Sequence, residues 1–74
     1  MDNNDIIMIR RVLGLTLHQV AEQLGLTPEY INKLENGKVN LSNKATAKYS
    51  LLIDSDDFRQ AVRKVIELYL MRRE

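Results

Sequence analysis

Apolar residues recur at helical spacing along most of the chain, and the breaks between these runs divide it into five segments. Within each segment, apolar side chains return every three or four residues, which is the period of an amphipathic helix. Alternation with a period of two is not sustained, so β-strands are not expected. The three glycines and the single proline stand at the breaks. The pattern predicts an all-α fold of five helices with a long C-terminal helix.

Residues that favour helix ends bound each of the five segments. Gly14, Gly25 and Gly37 follow the last apolar positions of the first three, where a left-handed residue commonly ends a helix. Thr16 is followed three residues later by Gln19, which is the spacing of a capping box. The candidate capping residues, in chain order, are Asn3, Asn4 or Asp5 for the first helix, then Thr16, Thr27 and Ser42, and Asp54 or Ser55 for the fifth.

The second and third helices and the turn between them form the most informative part of the sequence. Ala21 is small where the third helix must cross the second closely, and Gly25 permits a sharp reversal of the chain. Leu26 fills the turn, while Ile31 and Leu34 anchor the third helix on the core. These anchors leave the outer face of the third helix exposed. A helix held in this way fits the major groove of DNA.

The run from Leu15 to Lys38 resembles the Cro/C1-type helix-turn-helix family, whose members include phage repressors and many small bacterial regulators. The matching parts are residues 15–16, 20–27 and 30–38, and the resemblance extends over about residues 6–53. It implies a lambda-repressor-like DNA-binding domain. It also implies a sequence-specific transcription regulator, of the repressor type, that binds double-stranded DNA through the third helix.

The resemblance also assigns roles to individual residues. Arg10 and Glu35 are expected to form a structural ion pair. Asn32 and Lys33 are chemically able to read adenine and guanine edges. The full set expected to contact DNA comprises Thr27, Pro28, Glu29, Asn32 and Lys33 at base edges, with Lys38, Asn40, Lys44 and His18 at backbone phosphates.

Two departures from the family pattern lower the expected affinity for DNA. Leu17 stands where the family often has a glutamine that grips a phosphate. Pro28 and Glu29 replace the more usual small polar or basic pair at the start of the third helix. A glutamate is repelled by phosphates, although it can accept from the cytosine amino group. These two departures favour an alternative function, in which the fold is reused as a protein-binding module for an antirepressor or an antitoxin-like partner.

Positive and negative charges nearly balance in the chain as a whole, but they are unevenly distributed along the sequence. The net charge is +1 over 74 residues, which alone is a weak argument for a nucleic-acid partner. Between Lys33 and Lys48, however, four lysines stand against one glutamate, a local excess of three positive charges. This basic stretch begins on the third helix, where contact with phosphates is expected.

Few side chains are suited to catalysis or to metal binding. The chain has no cysteine, and His18 is its only histidine, without further ligands at metal-binding spacing. Asp54, Asp56 and Asp57 lack the glycine and the distal glutamate of a calcium site, and helix capping explains them. A glycine-rich phosphate loop is absent as well. We therefore expect no enzyme activity, no metal and no cofactor.

No targeting or membrane segment is expected. Acidic residues come before Arg10 and Arg11 at the N-terminus, which is the reverse of a signal peptide. No apolar run approaches the roughly 18 residues of a membrane span. The lack of cysteine suits a reducing compartment, so a cytoplasmic location is expected.

The length of the fifth helix predicts a second copy as partner. Residues 1–74 are expected to form a single domain with a core over 4–53 and a C-terminal helix over 55–72. About 17 residues span about 25 Å, longer than a four-helix body requires, and Arg72 and Arg73 complete its basic end. Surplus apolar positions on the first helix (Met8, Val12, Leu13) add to this surface. We expect a homodimer through helices one and five, with recognition helices about 34 Å apart on a palindromic site.

Overall fold

In the computed structural model, which describes residues 1–72, the chain forms five α-helices and no strand. The predicted all-α, lambda-repressor-like fold is confirmed. Arg73, predicted to extend the basic end of the fifth helix, lies outside the described residues. The helices are α1 (Asn3–Leu13), α2 (Leu17–Leu24), α3 (Pro28–Glu35), α4 (Asn43–Ile53) and α5 (Asp56–Arg72).

Side chains that accept from first-turn N–H groups start the helices after α1. The Oγ1 atom of Thr16 accepts from the N–H of Gln19 at 3.1 Å, and the amide of Gln19 accepts in return from the N–H of Thr16, so the predicted capping box is present. Thr27 and Ser42 cap α3 and α4 in the same way. Of the two candidates for α5, Ser55 is the one whose hydroxyl accepts from a first-turn N–H.

The start of α1 differs from the prediction. Asp2, rather than Asn3, Asn4 or Asp5, caps this helix, and its carboxylate accepts from the N–H groups of Asn4 and Asp5. The carboxylate of Asp5 accepts in turn from the N–H of Asp2 at 2.8 Å, which completes a second capping box. A charged acceptor at this position stabilises the positive end of the helix better than an amide does. The helix therefore begins one residue earlier, and the Asn3 side chain is available for other bonds.

The first four helices, α1, α2, α3 and α4, share one hydrophobic core. Ala21, Ile31 and Leu34, the residues predicted to anchor the motif, are buried, and Gly25 adopts the left-handed conformation (φ 67°) that the turn requires. Adding a side chain there would strain the backbone, because residues other than glycine rarely adopt a positive φ. The buried residues are Ile6 and Ile9 of α1, Val20, Ala21 and Leu24 of α2, Ile31 and Leu34 of α3, and Ala45 and Tyr49 of α4.

A bidentate ion pair closes the contact between α1 and α3. Nε of Arg10 donates to Oε2 of Glu35 at 2.7 Å, and its second terminal nitrogen donates to Oε1 at 2.9 Å. The remaining terminal nitrogen donates to the carbonyl of Leu15 at 3.1 Å. The hydrogen bonds to Glu35 raise the pKa of Arg10, so the guanidinium stays charged. The pair thus fixes the end of α3 against α1 and the α1–α2 turn.

The fifth helix is attached by its first half alone. Phe58, Ala61 and Val62 are half-buried, and α5 packs there on α1 and α4. From Arg63 to Arg72 every residue is exposed, and the described part of the chain measures 42 Å along its longest axis but only 22 by 20 Å across. Within α1, Leu13 packs against the chain's own core, whereas Met8 remains 58% exposed.

Tyr49 of α4 carries a polar group that the core does not satisfy. Its side chain is fully buried, and its hydroxyl has no hydrogen-bond partner among the described residues. Burial raises the pKa of Tyr49 from 10.0 to about 12 because the interior disfavours the phenolate. The protonated phenol therefore stabilises the fold fully below about pH 10, and this stabilisation is lost as the pH rises toward 12.

Replacing Glu35 by alanine should lower the free energy of unfolding by about 2 kcal/mol, because it leaves the partly buried guanidinium of Arg10 without a counter-charge. Urea unfolding at neutral pH measures this loss. Arg59→Ala is the matched control, since the Arg59–Asp56 pair is exposed and should contribute less than about 0.5 kcal/mol. Equal effects of the two substitutions would show that the Arg10 pair does not stabilise the fold.

Tyr49→Phe should leave stability unchanged or raise it by up to about 1 kcal/mol, because it removes a buried hydroxyl without a partner. The variant should also lose less stability than the wild type between pH 10 and pH 12. Thermal unfolding across this pH range measures both effects. A clear loss of stability at neutral pH would mean that the hydroxyl has a partner.

Candidate nucleic-acid interface

The outer face of α3 lies opposite its two buried anchors. Ile31 and Leu34 are both 0% exposed, so the helical period turns the other side of α3 to solvent. Glu29, Asn32 and Lys33 lie on that side, and all three are exposed. The predicted base-reading residues of α3 are therefore not packed inside their own chain.

The residues at the start of α3 are less available than those one turn later. Thr27 is exposed, but its hydroxyl already accepts from the N–H of Tyr30 at 3.2 Å. Pro28 is half-buried at the first helical position and has no N–H to donate. Thr27 can therefore still donate its hydroxyl proton to a base edge but Pro28 offers no polar group, and Glu29, Asn32 and Lys33 supply the other polar side chains of the predicted set.

Asn36 belongs to this face as well, although the sequence pattern does not single it out. It follows α3 as the C-cap residue, is exposed, and lies one turn beyond Asn32. Its Nδ2 donates to Oδ1 of Asn32 at 3.1 Å. The spacing of four residues between two asparagines is the signal in the sequence from which this pair could have been predicted.

Three of the four lysines of the basic stretch are exposed beside or after α3. Lys33, Lys38 and Lys44 are exposed, as is Asn40 in the loop between α3 and α4. Lys48 is half-buried instead, and its Nζ donates to the carbonyl of Leu24 at 2.7 Å. A cation there satisfies the end of α2 and suits its negative dipole. Lys48 therefore counts toward the net charge of the basic stretch, but its ammonium group is not part of the surface that phosphates could contact.

Asn3 holds the loop that carries two of the predicted phosphate contacts. Its Nδ2 donates to the carbonyl of Leu34, at the end of α3, and to that of Val39 at 3.3 Å. The carbonyl of Leu34 also accepts from the N–H of Gly37 at 3.2 Å, so Asn3 adds a second bond at the end of α3 and a first bond to the loop. The first residues of α1 thereby fix the path of the segment bearing Lys38 and Asn40. No local signal could reveal this bond, because its partners are 31 and 36 residues away along the chain.

The start of α2 offers one donor and one apolar side chain. His18 is exposed at the second position of the helix, within the region expected to face a phosphate. Leu17, at the first position, is half-buried and packs against the core. It supplies no polar contact where the family often has glutamine. Gln19, at the third position, holds the Thr16 N–H with its side-chain oxygen in the capping box.

Other kinds of site find no support in residues 1–72. No group of three His, Asp or Glu side chains among them is placed to hold a metal ion. None of their helices combines the length and the apolar character needed to cross a bilayer. The outer face of α3 carries two amides, one amine and one carboxylate, from Asn32, Asn36, Lys33 and Glu29.

Comparison with known protein families agrees with this geometry. A family model described as "Helix-turn-helix" matches residues 6–51, which covers more than half of the chain. The matched part runs from α1 into α4 and includes the whole of α2, α3 and the loop after them, whereas α5 lies beyond it. Searches of curated proteins and of solved structures gave no match. The predicted resemblance over about residues 6–53 is confirmed, and the chain belongs to the Cro/C1-type helix-turn-helix family.

Proposed function

We propose that the protein is a non-enzymatic, sequence-specific transcription regulator of the phage or bacterial repressor type, which inserts α3 into the major groove of double-stranded DNA. One observation carries this proposal. Buried Ile31 and Leu34 attach one side of α3 to the core. Glu29, Asn32 and Lys33 are exposed on the opposite side. A short helix anchored in this way can enter the groove without unfolding its support.

Base discrimination comes from three side chains in this proposal. The amide of Asn32 can accept from adenine N6 and donate to N7, and the ammonium group of Lys33 can donate to guanine O6 and N7. Glu29 can accept from the cytosine amino group, and its charge disfavours other bases as well as nearby phosphates. Thr27 and Pro28 contact the DNA mainly through their apolar atoms.

Affinity comes from the residues around α3. Lys38, Asn40 and Lys44 lie in or just after the loop that follows α3, and His18 lies at the start of α2. Cations at phosphates release bound counterions, so binding should weaken as the salt concentration rises. With few such cations and with Glu29 opposing them, we expect modest affinity and sensitivity to salt.

Selection from a random pool of duplex DNA at low salt tests this function directly. Enrichment of one sequence supports the proposal. If no sequence is retained, a second candidate function is favoured, in which the fold binds another protein. The exposed Glu29 and the exposed apolar half of α5 are the features that support this second candidate.

Lys38→Ala and Asn32→Ala should affect binding to the selected sequence in different ways. Loss of the Lys38 charge should weaken binding to all sequences and reduce the slope of log K against log salt by about one. Loss of the Asn32 amide should relax the preference at one base pair by about tenfold. Titrations at several salt concentrations, with Lys64→Ala on α5 as a control that should change neither, separate the two roles. The assignment is wrong if both substitutions alter only specificity.

A dimer formed through the distal half of α5 is a second part of the proposal. Val65, Leu68 and Tyr69, which we call the distal stripe, follow Phe58 and Ala61 at helical spacing and continue their apolar face beyond the body of the protein. Their exposed fractions are 51%, 52% and 63%, so the stripe lacks a cover in the described chain. Of the three apolar residues of α1 predicted to join this surface, Leu13 packs on its own core and Val12 is half-buried, whereas Met8 is 58% exposed.

A second copy is the occupant that fits the distal stripe best. A two-fold axis across the stripe pairs it with itself and relates the two α3 helices by the same symmetry as a palindromic site. Two helical turns bury less than the roughly 800 Å² per partner of a standard interface. We therefore expect a dissociation constant on the order of micromolar, with DNA favouring the dimer.

Tyr69→Glu should convert the dimer to a monomer, because it places a charge in an apolar contact. Sedimentation equilibrium over a range of protein concentrations measures the change. Leu51→Glu is the matched control, since Leu51 is 73% exposed on α4, away from the distal stripe, and should leave the association unchanged. A wild-type protein that stays monomeric at high concentration would rule out self-association and leave the stripe to a different protein.

A further inference from the structure

Asn36 lies at the C-terminal end of the outward side of α3, since it is the residue that ends the helix. Glu29, Asn32 and Lys33 lie on the same side in the turns before it, and all four residues are exposed. The backbone N–H of Asn36 closes the last turn by donating to the carbonyl of Asn32 at 3.0 Å. The end of the helix is therefore closed without the side chain of Asn36, and its amide is available for another role.

That amide is bonded to the amide of Asn32. Nδ2 of Asn36 donates to Oδ1 of Asn32 over 3.1 Å, one helical turn apart. A free asparagine amide can present its oxygen and its nitrogen in either order, since the two orientations differ by a half-turn of the group. The bond from Asn36 favours one order: Oδ1 of Asn32 lies beside Asn36, and Nδ2 lies away from it.

The order of the two atoms decides which base the amide can read. Adenine donates from N6 and accepts at N7, so its reader must place an oxygen and a nitrogen in the matching sequence. Oδ1 of Asn32 has two lone pairs and can accept from Asn36 and from a base together. An amide already held in one orientation also loses less conformational entropy when it binds.

We propose that Asn36 is a positioning residue for base recognition, which holds the amide of Asn32 in the orientation that reads adenine at one position of the DNA site. This inference rests on the DNA-binding function proposed above. Asn36 acts through Asn32, so its contribution lies in the preference at one base pair and not in affinity for DNA at large.

The test compares binding to the selected DNA site with each of the four base pairs at the position that Asn32 reads. Asn36→Ala should reduce the preference for adenine about threefold, which on a logarithmic scale is roughly half of the tenfold effect expected for loss of the Asn32 amide. Asn36→Gln keeps an amide donor within reach of Asn32 and should restore most of the preference. In the Asn32→Ala background, Asn36→Ala should have no further effect on the preference.

Asn36→Asp adds a sharper comparison at nearly constant size. Its carboxylate only accepts, so it attracts Nδ2 of Asn32 and reverses the order of the two atoms. The preference for adenine should fall further than in Asn36→Ala. The added negative charge should also weaken binding to every sequence, and titration against unrelated DNA measures that separate effect.

The side-chain amide signals of Asn32 in an NMR spectrum of the DNA-free protein give an independent measurement. Asn36→Ala should shift these signals, and Asn36→Gln should leave them close to their wild-type positions. Unchanged signals in Asn36→Ala would overturn the inference.

The outcomes separate this inference from the function on which it rests. If the wild type enriches no DNA sequence, the DNA-binding proposal fails and the inference fails with it. If the wild type selects a site and Asn36→Ala keeps the full preference for adenine, only the inference is wrong. It is also wrong if Asn36→Ala changes the preference in the Asn32→Ala background, because Asn36 would then read DNA by itself.

Discussion

The bidentate bond between Arg10 and Glu35 joins the three parts of the chain on which the exposed helix depends. It links the last turn of α1 to the last residue of α3 and, through the carbonyl of Leu15, to the turn before α2. Buried Ile31 and Leu34 fix the underside of α3, but apolar contacts are not directional. The planar guanidinium forms a directional contact, because its two parallel hydrogen bonds to Glu35 restrict the orientation of α3 relative to α1.

Local chemistry made most of the fold predictable from the sequence. Thr16 with Gln19, Thr27, Ser42 and Gly25 each act within four residues of their own position, and each was predicted in the role that the structure shows. The error at the start of α1 has the same local origin. Several residues in a row could cap that helix, and the charged side chain of Asp2 prevailed because a second carboxylate, that of Asp5, could complete the reciprocal bond.

The contacts that shape the candidate interface were less predictable because their partners lie far away in sequence. Asn3 and Lys48 bond to backbone carbonyls, which every residue possesses, so nothing in the residue type marks the partner. Apolar residues that look alike in the sequence also differ in how deeply the structure buries them. Leu13 of α1 and Val65 of α5 are both apolar residues of predicted helices, but Leu13 packs on the core, whereas Val65 lies on the half of α5 that extends beyond it.

The bonds of Asn3 have a practical consequence for handling the protein. Because this side chain contacts the segment that bears Lys38 and Asn40, a peptide fused before Met1 begins beside the surface expected to meet phosphates. A purification tag placed there would crowd that surface, and a polyhistidine tag could add positive charge to it. A tag joined after α5 would instead sit next to the distal stripe. A C-terminal tag therefore suits DNA titrations, an N-terminal tag suits sedimentation, and a cleavable tag suits both.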